Sequence, residues 1–253
     1  MDRATENKII LVVRKTRLDE LKARFNTEAQ ARFYVEHLGA DFSDYQQEDK
    51  NYKTAVSVAQ RLLAGLGRVQ ILDRSYVPNF IFGSMDTIVV LGQDGLVANT
   101  IKYLDGQAVV GVNPDPLRWE GVLLPFGVAD LTRIIPEVFS RKRGTRSVTM
   151  AKAVLNTGQS LYGVNDLFIG PKSHTSARYA LHIANKTEVQ SSSGIIVSTG
   201  LGSTGWLRSI FAGAVGITTH LALNPLVTQT DNRFDWDADY LVFSVREPWP
   251  SNT

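Results

Sequence analysis

Apolar and polar positions fall into blocks along the first half of the chain. "KIILVVR" (8–14) is a continuous apolar run with β-branched residues, the pattern of a strand covered on both faces. Helical signals follow in "LDELKARF" (18–25), "TEAQARFYVEHLG" (27–39) and "YKTAVSVAQRLLAGLG" (52–67), with Gly39 and Gly67 as stops. The polar segment "DFSDYQQEDKN" (41–51) between the last two reads as a loop. "RVQILDR" (68–74), "TIVVLG" (87–92) and "QAVVGVN" (107–113) are again strand-like, and "LVANTIKYL" (96–104) reads as a helix between the last two. Buried strands separated by helices predict an α/β domain with a parallel sheet.

After Asn113 the texture changes. "PDPLRWEGVLLPFG" (114–127) has no clear period, and a helix is expected over "VADLTRIIPEVFSRKR" (128–143), kinked or split at Pro136. Short strand candidates with turn residues between them then recur: "RSVTMAKAVL" (146–155), "NDLFIG" (165–170), "RYALHIA" (178–184), "TEVQSSSGIIVST" (187–199) and "DYLVFSV" (239–245). That spacing predicts a β-rich, mostly antiparallel second domain. The expected division is 1–130 and 131–253.

Composition narrows the functions more than the fold. With 43% hydrophobic and 21% charged residues, 253 positions suffice for one large core or two smaller ones. A net charge of +2 supplies neither a nucleic-acid tail nor a polybasic membrane patch. The absence of cysteine excludes disulfides and thiolate metal sites. No apolar stretch is long enough for a bilayer span, and "MDRATENK" has no signal-peptide core and carries acids, so a cytoplasmic protein is expected. His37, His174, His182 and His220 have no metal-ligand spacing, and "FDWDADY" (234–240) lacks the calcium-loop pattern, so no metal site is expected.

Two glycine loops compete as phosphate cradles. Gly200-Leu-Gly202-Ser-Thr-Gly205 spells G-x-G-x-x-G behind the strand-like "GIIVST", and a short helix "LRSIFAGAV" (207–215) follows. A Rossmann site also needs the first β-α unit and an acid about 20 residues on. Here Asp231 is the first acid downstream, within an expected loop (228–240), and too little chain remains for a mononucleotide-binding half. The other loop, Gly92-Gln93-Asp94-Gly95, closes a buried strand and opens a helix. Backbone N–H groups at a helix start bind anions, and glycine lets phosphate approach. A carboxylate there is repulsive unless it handles a proton or a metal. The alternative is a tight turn with Asp94 as the helix cap.

Taken together these motifs resemble the NAD kinase family. That family carries a G-G-D-G loop after a buried strand and then a strand ending G-V-N; here these are "VVLGQDG" and "VVGVN". Its Asn-Asp/Glu motif is matched by Asn165-Asp166, and its T-x-x-G-S-T-[A/G]-aromatic turn by Thr199, Gly202, Ser203, Thr204 and Trp206. Within the family, "RKTRLDEL" (14–21), "GVNPDPLRWEG" (111–121), "SSGIIVSTGLGSTGW" (192–206) and "LVFSVREP" (241–248) are most similar to the mitochondrial-type enzymes and similar bacterial proteins. Three positions depart from the pattern. Gln93 replaces the second loop glycine, which costs about 1–2 kcal/mol if that position needs a left-handed backbone. Ser193 stands where the family usually has Asp. Relatives continue beyond "SNT" with further strands, so the β domain is expected to be incomplete at its carboxyl end.

The resemblance implies the NAD kinase/diacylglycerol kinase-like fold, and transfer of the ATP γ-phosphoryl group to the adenosine-ribose 2′-hydroxyl of NAD, with Mg²⁺ carried by ATP. It implies that Asp94 accepts the hydroxyl proton and that Gly92, Gln93 and Gly95 cradle the ATP phosphates with Lys15, Thr16 and Arg17. It implies that Asn165 and Asp166 hold a ribose of NAD. Thr199, Ser203 and Thr204 would position the dinucleotide, with Trp206 as a stacking face. The partners implied are these small molecules and further copies of the chain, with neither nucleic acid nor membrane. Each residue also has a plainer role: Asn165-Asp166 as a turn, Trp206 as core, Lys15 and Arg17 as a solvated helix start, "RKRGTR" (141–146) as a solvated loop. Nucleotide binding without transfer, and a lipid or sugar kinase of the wider superfamily, are the competing functions.

Overall fold

The computed structural model describes residues 4–221 and 233–250. Asp231, the 228–232 start of the expected loop and the terminal 251–253 lie outside the described residues. The chain divides into two compact units, Met1–Gly144 and Thr145–Thr253.

The first unit is a parallel sheet of five strands: β1 (Lys8–Val13), β2 (Arg68–Asp73), β3 (Thr87–Leu91), β4 (Val109–Asn113) and β5 (Phe126–Gly127), in the order β2-β1-β3-β4-β5. The apolar runs occupy its centre because both faces are covered: Ile9, Ile10, Leu11 and Val12 of β1 are fully buried, as are Ile88 to Leu91 of β3. Alternation of side chains sends Ile9, Leu11, Val89, Leu91, Val110 and Val112 to one face, against α3 (Phe42–Ala64) and α5 (Leu131–Phe139). Ile10, Val12, Ile88 and Val90 face α4 (Asp94–Ile101) on the other. Between β1 and α3 lie α1 (Arg17–Phe25) and α2 (Glu28–His37), whose Leu18, Ala31 and Val35 pack on Phe42.

One expectation fails here. Residues 41–51 are not a loop but the first half of α3, which runs 23 residues. Asp41 caps it by accepting from the Ser43 N–H at 2.8 Å. Phe42 and Tyr45 face the α1–α2 packing, but the next inward position meets cations: Glu48, 3% exposed, receives both Arg14 and Arg17. Pro136 is accommodated within α5, whose helix stops at Phe139, short of the expected 143.

The second unit is antiparallel throughout. A hairpin joins β6 (Ala151–Val154) to β7 (Ser160–Gly163), and a second joins β9 (Ala177–Ile183) to β10 (Lys186–Ser192). A three-stranded sheet places β11 (Gly194–Ser198) between β8 (Asp166–Ile169) and β12 (Val242–Arg246). The single run expected over 187–199 is two strands, because Gly194 takes φ +116° and breaks it. The strand β7 is not among those expected from the sequence. Trp206–His220 form α6, longer than the helix expected over 207–215, and 233–240 carry neither helix nor strand. Among the described residues no helix is long and apolar enough to cross a membrane.

Candidate functional site

In the first unit the strand order reverses direction between β1 and β3: β2 lies beyond β1, and β4 and β5 lie beyond β3. Open parallel sheets bind ligands outside the carboxyl ends of the strands at such a switch point. Residues 14–17 leave the end of β1, and residues 92–95 leave the end of β3. Topology therefore brings both predicted phosphate segments to one edge.

The Gly92–Gly95 turn is built without strain. Gln93 takes φ −122° and ψ 161°, an extended conformation open to any residue. The left-handed backbone that would penalise a non-glycine residue there is not used. Gln93 is also the N-cap position, without a side-chain cap bond, so Asp94 is the first helical residue and not the cap. Its carboxylate reaches across instead: Oδ2 accepts from the Val122 N–H at 3.0 Å and Oδ1 from the Leu123 N–H at 2.8 Å. The loop that it holds follows β4 and is shaped by the G-V-N residues. Asn113 donates to the Trp119 carbonyl at 2.7 Å and accepts from the Asp115 N–H at 3.0 Å. Gly111 leaves room for that loop, since a Cβ there would stand 1.9 Å from the Leu123 carbonyl oxygen.

The segment after β1 is differently engaged. Thr16 is fully buried. It forms a capping box with Asp19, and its hydroxyl donates to Asp49 at 2.6 Å. Burial raises the Asp19 carboxyl, but hydrogen bonds from Thr16 and Lys53 outweigh it and hold that carboxyl below its ordinary value. The Arg17 guanidinium pairs with Glu48 and, at 2.7 Å, with Asp44. Arg118, from the loop after β4, also binds Asp44, and the two arginines hold that carboxyl well below the usual carboxylate range. Lys15 is exposed.

Tyr52 on α3 went unassigned in the sequence. Its hydroxyl accepts from the Arg14 N–H at 2.9 Å and donates to the Leu91 carbonyl at 2.9 Å, bridging β1 and β3 at the switch point. Burial pushes the hydroxyl up to about 12. The signal was available: helical spacing puts Tyr52 in line with Ala55, Ala59 and Leu63, and a buried tyrosine needs a partner for its hydroxyl.

In the second unit the Asn-Asp pair and the threonine-serine turn meet directly. Ser198 pairs with Asp166 across β11 and β8, and the Thr199 N–H donates to the Asn165 carbonyl at 3.0 Å. The Thr199 hydroxyl, fully buried, donates to the Val164 carbonyl at 2.5 Å and accepts from the Gly202 N–H at 3.1 Å. Ser203 is buried and donates to the Gly200 carbonyl at 2.6 Å. The first two glycines of the G-x-G-x-x-G string are consumed by chain packing. A Cβ on Gly200 would stand 1.8 Å from the Asp235 carbonyl oxygen, and one on Gly202 would stand 2.1 Å from that of Asn165. With β11 antiparallel to both neighbours, no β-α-β unit exists there for a Rossmann site.

The exposed Asn165 and Thr204 project at this turn, the Thr204 hydroxyl donating to the Leu201 carbonyl at 3.4 Å. Trp206 is 39% exposed and lies 5.6 Å from the Phe168 ring, with the Arg246 guanidinium 5.2 Å above it. It is therefore not core. Asp166 Oδ1 is buried and finds no hydrogen-bond partner among the described residues.

Burial raises the Asp166 carboxyl above its ordinary value, against a weaker opposing bond from Ser198. The folded chain thus binds the proton more tightly than the unfolded chain. Its stability contribution is full below the ordinary aspartate value of 3.8 and is lost as pH rises through the raised value. Asp166→Asn should melt above wild type at pH 7, and the two melting curves should converge in acid. Melting temperatures followed from pH 7 down to pH 4 check this; a variant that melts lower at pH 7 contradicts it.

This combination, a β2-β1-β3-β4-β5 parallel α/β unit followed by an antiparallel β unit, is the two-domain NAD kinase fold. The solved structure of an NAD kinase from Archaeoglobus fulgidus in complex with ATP matches with a TM-score of 0.50, over 96% of this chain and 73% of that one, at 15% identity. Yeast NADH kinase complexed with NADH matches with a TM-score of 0.47, over 99% of this chain and 68% of that one, at 14% identity. No family model and no curated protein matches the sequence.

Proposed function

We propose that the chain is an ATP-dependent NAD kinase, similar to the mitochondrial-type branch that its 14–21, 111–121, 192–206 and 241–248 segments resemble. The observation that carries this reading is the position of Asp94. A carboxylate stands on the first residue of α4, beside the helix-start N–H groups at the switch point, where a nucleotide's phosphates belong. A carboxylate at an anion site is useful when it takes a proton.

In this reading the backbone of Gly92, Gln93 and Gly95 holds the ATP phosphates, with the exposed Lys15 as a cation and Thr16 and Arg17 shaping the segment that carries it. Mg²⁺ bound to ATP would neutralise charge on its phosphates. Asn165, which is exposed, and Asp166 bind a ribose of NAD. Thr199 and Ser203 fix the turn from which Thr204 and Trp206 contact the dinucleotide. The 2′-hydroxyl oxygen attacks the γ-phosphorus, the bond to the β–γ bridging oxygen breaks, ADP leaves, and the hydroxyl proton passes to Asp94. Alignment and charge neutralisation do most of this work. Copies of the chain associate as a homo-oligomer in the cytoplasm.

The test is to incubate the protein with ATP, Mg²⁺ and NAD and to assay NADP with an NADP-specific dehydrogenase. NADP formation supports the reading. NAD and ATP binding without product supports the competing one, a nucleotide-binding protein without transfer.

Gly95 offers a sharper probe of the cradle. No atom stands within 4 Å of where its Cβ would be, so the fold itself tolerates alanine. Gly95→Ala should gain about 0.5–1 kcal/mol of helix stability. The methyl would occupy phosphate space, so the ATP KM should rise at least tenfold. An unchanged KM places the phosphates elsewhere.

A further inference from the structure

We infer that Tyr52 is a positioning residue that sets the spacing of the two phosphate-facing segments across the β1/β3 switch point. The assignment rests on the nucleotide-binding reading of residues 14–17 and 92–95, and adds a residue which that reading does not contain. One hydroxyl touches both segments at their roots. It accepts from the Arg14 N–H and donates to the Leu91 carbonyl, each at 2.9 Å. The Leu91–Gly92 peptide is thereby held from both ends, because the Gly92 N–H donates to the Val112 carbonyl at 3.2 Å. The orientation of the peptide that opens the glycine turn therefore depends on Tyr52. So does the register at which the chain leaves β1 toward Lys15.

The rest of the residue is built to hold that hydroxyl still. Tyr52 is 4% exposed, and the Arg14 guanidinium lies 4.7 Å over its ring. That guanidinium is itself anchored on Glu48 at 2.9 Å, four residues before Tyr52 on the same helix. The β1/β3 ladder ends at Val12 and Val90, so the sheet alone does not fix the distance between the two segments beyond it. A single donor-acceptor group inserted between them does. The hydroxyl stays protonated across the working pH range, because burial raises it, so its donation to Leu91 persists into alkali.

The test is Tyr52→Phe in the full chain, with ATP and NAD affinities measured separately by calorimetry. Phenylalanine keeps the ring and its packing and removes only the bridge. The ATP Kd should rise about tenfold, the effect of two polar groups losing their partner, while the NAD Kd stays within twofold. Hydrogen exchange should accelerate together at residues 14–17 and 92–95. Ala59→Gly, two turns further along the same buried face of α3, controls for general loosening and should leave the ATP Kd unchanged.

An ATP Kd within twofold of wild type in folded Tyr52→Phe overturns the assignment and leaves the kinase reading intact. So does an equal loss in Ala59→Gly. Absence of NADP formation by wild type, with ATP affinity still lowered by Tyr52→Phe, overturns the kinase reading and leaves the assignment standing. Absence of ATP binding by wild type overturns both.

Discussion

Asp94→Asn should lower the kcat for NADP formation by about 10²–10⁴-fold, the usual worth of a positioned general base. The substitution keeps size and shape and removes the group that takes the hydroxyl proton. The structure adds a second consequence. Both carboxylate oxygens of Asp94 accept backbone N–H bonds, from Val122 and Leu123. An amide has one acceptor and one donor end, so one of those N–H groups is left facing another donor, at a cost of about 1–3 kcal/mol. The variant should therefore melt lower as well as turn over more slowly. Measuring kcat together with the ATP Kd and the melting temperature separates the two effects. A fall in kcat of less than tenfold in a folded, ATP-binding variant makes Asp94 a clamp for the 121–124 loop and removes it from the chemistry.

The largest loss of stability is expected at Glu48. Its carboxylate is buried at 3% exposure between Arg14, whose side chain is 10% exposed, and Arg17. Glu48→Gln removes the buried negative charge paired with Arg14, and Arg14 Nε already finds no partner among the described residues. Breaking a buried pair from one side costs about 3 kcal/mol, since the remaining charge stays desolvated. At roughly 2–4 °C per kcal/mol for a chain of this size, the melting temperature should fall by about 6–12 °C. Asp44 makes similar contacts with Arg17 and Arg118, but its side chain is 43% exposed, and solvent screening limits such a pair to under about 1 kcal/mol. A Glu48→Gln variant that melts within 2 °C of wild type would mean that water reaches the Arg14 guanidinium.

The same cluster explains an expectation that failed. Residues 41–51 look like a loop because helices are recognised by an apolar stripe, and here the stripe of Phe42 and Tyr45 is interrupted by Glu48 before it reaches Tyr52. At Glu48 the buried side is ionic, and a helix can bury an acid only where cations from elsewhere in the chain meet it. Those cations, Arg14, Arg17 and Arg118, are distant in sequence, so the pattern along 41–51 carries no trace of them. Thr16 and Arg17 have a related history. Their residue types suit phosphate, but the helix that covers them supplies Asp49, Glu48 and Asp44 as partners within the chain. The Gln93 departure resolves in the opposite direction: its cost depended on a backbone angle, and the angle is an ordinary one.

What the sequence alone determined is whatever depends on near neighbours. Short continuous β-branched runs bounded by turn residues read as strands buried on both faces, and their alternation with helices points to a parallel sheet as the way to bury them. Glycines bracketing an acid between a strand and a helix mark a turn that exposes backbone N–H groups. What only the tertiary structure decided is which polar groups answer one another across the chain. The Asp94 carboxylate meets the 122–123 backbone, the Tyr52 hydroxyl joins β1 to β3, and Gly200 and Gly202 press on the carbonyls of Asp235 and Asn165. A hydrogen bond or a close approach is a property of two positions at once, and no pattern along one segment specifies its partner in another.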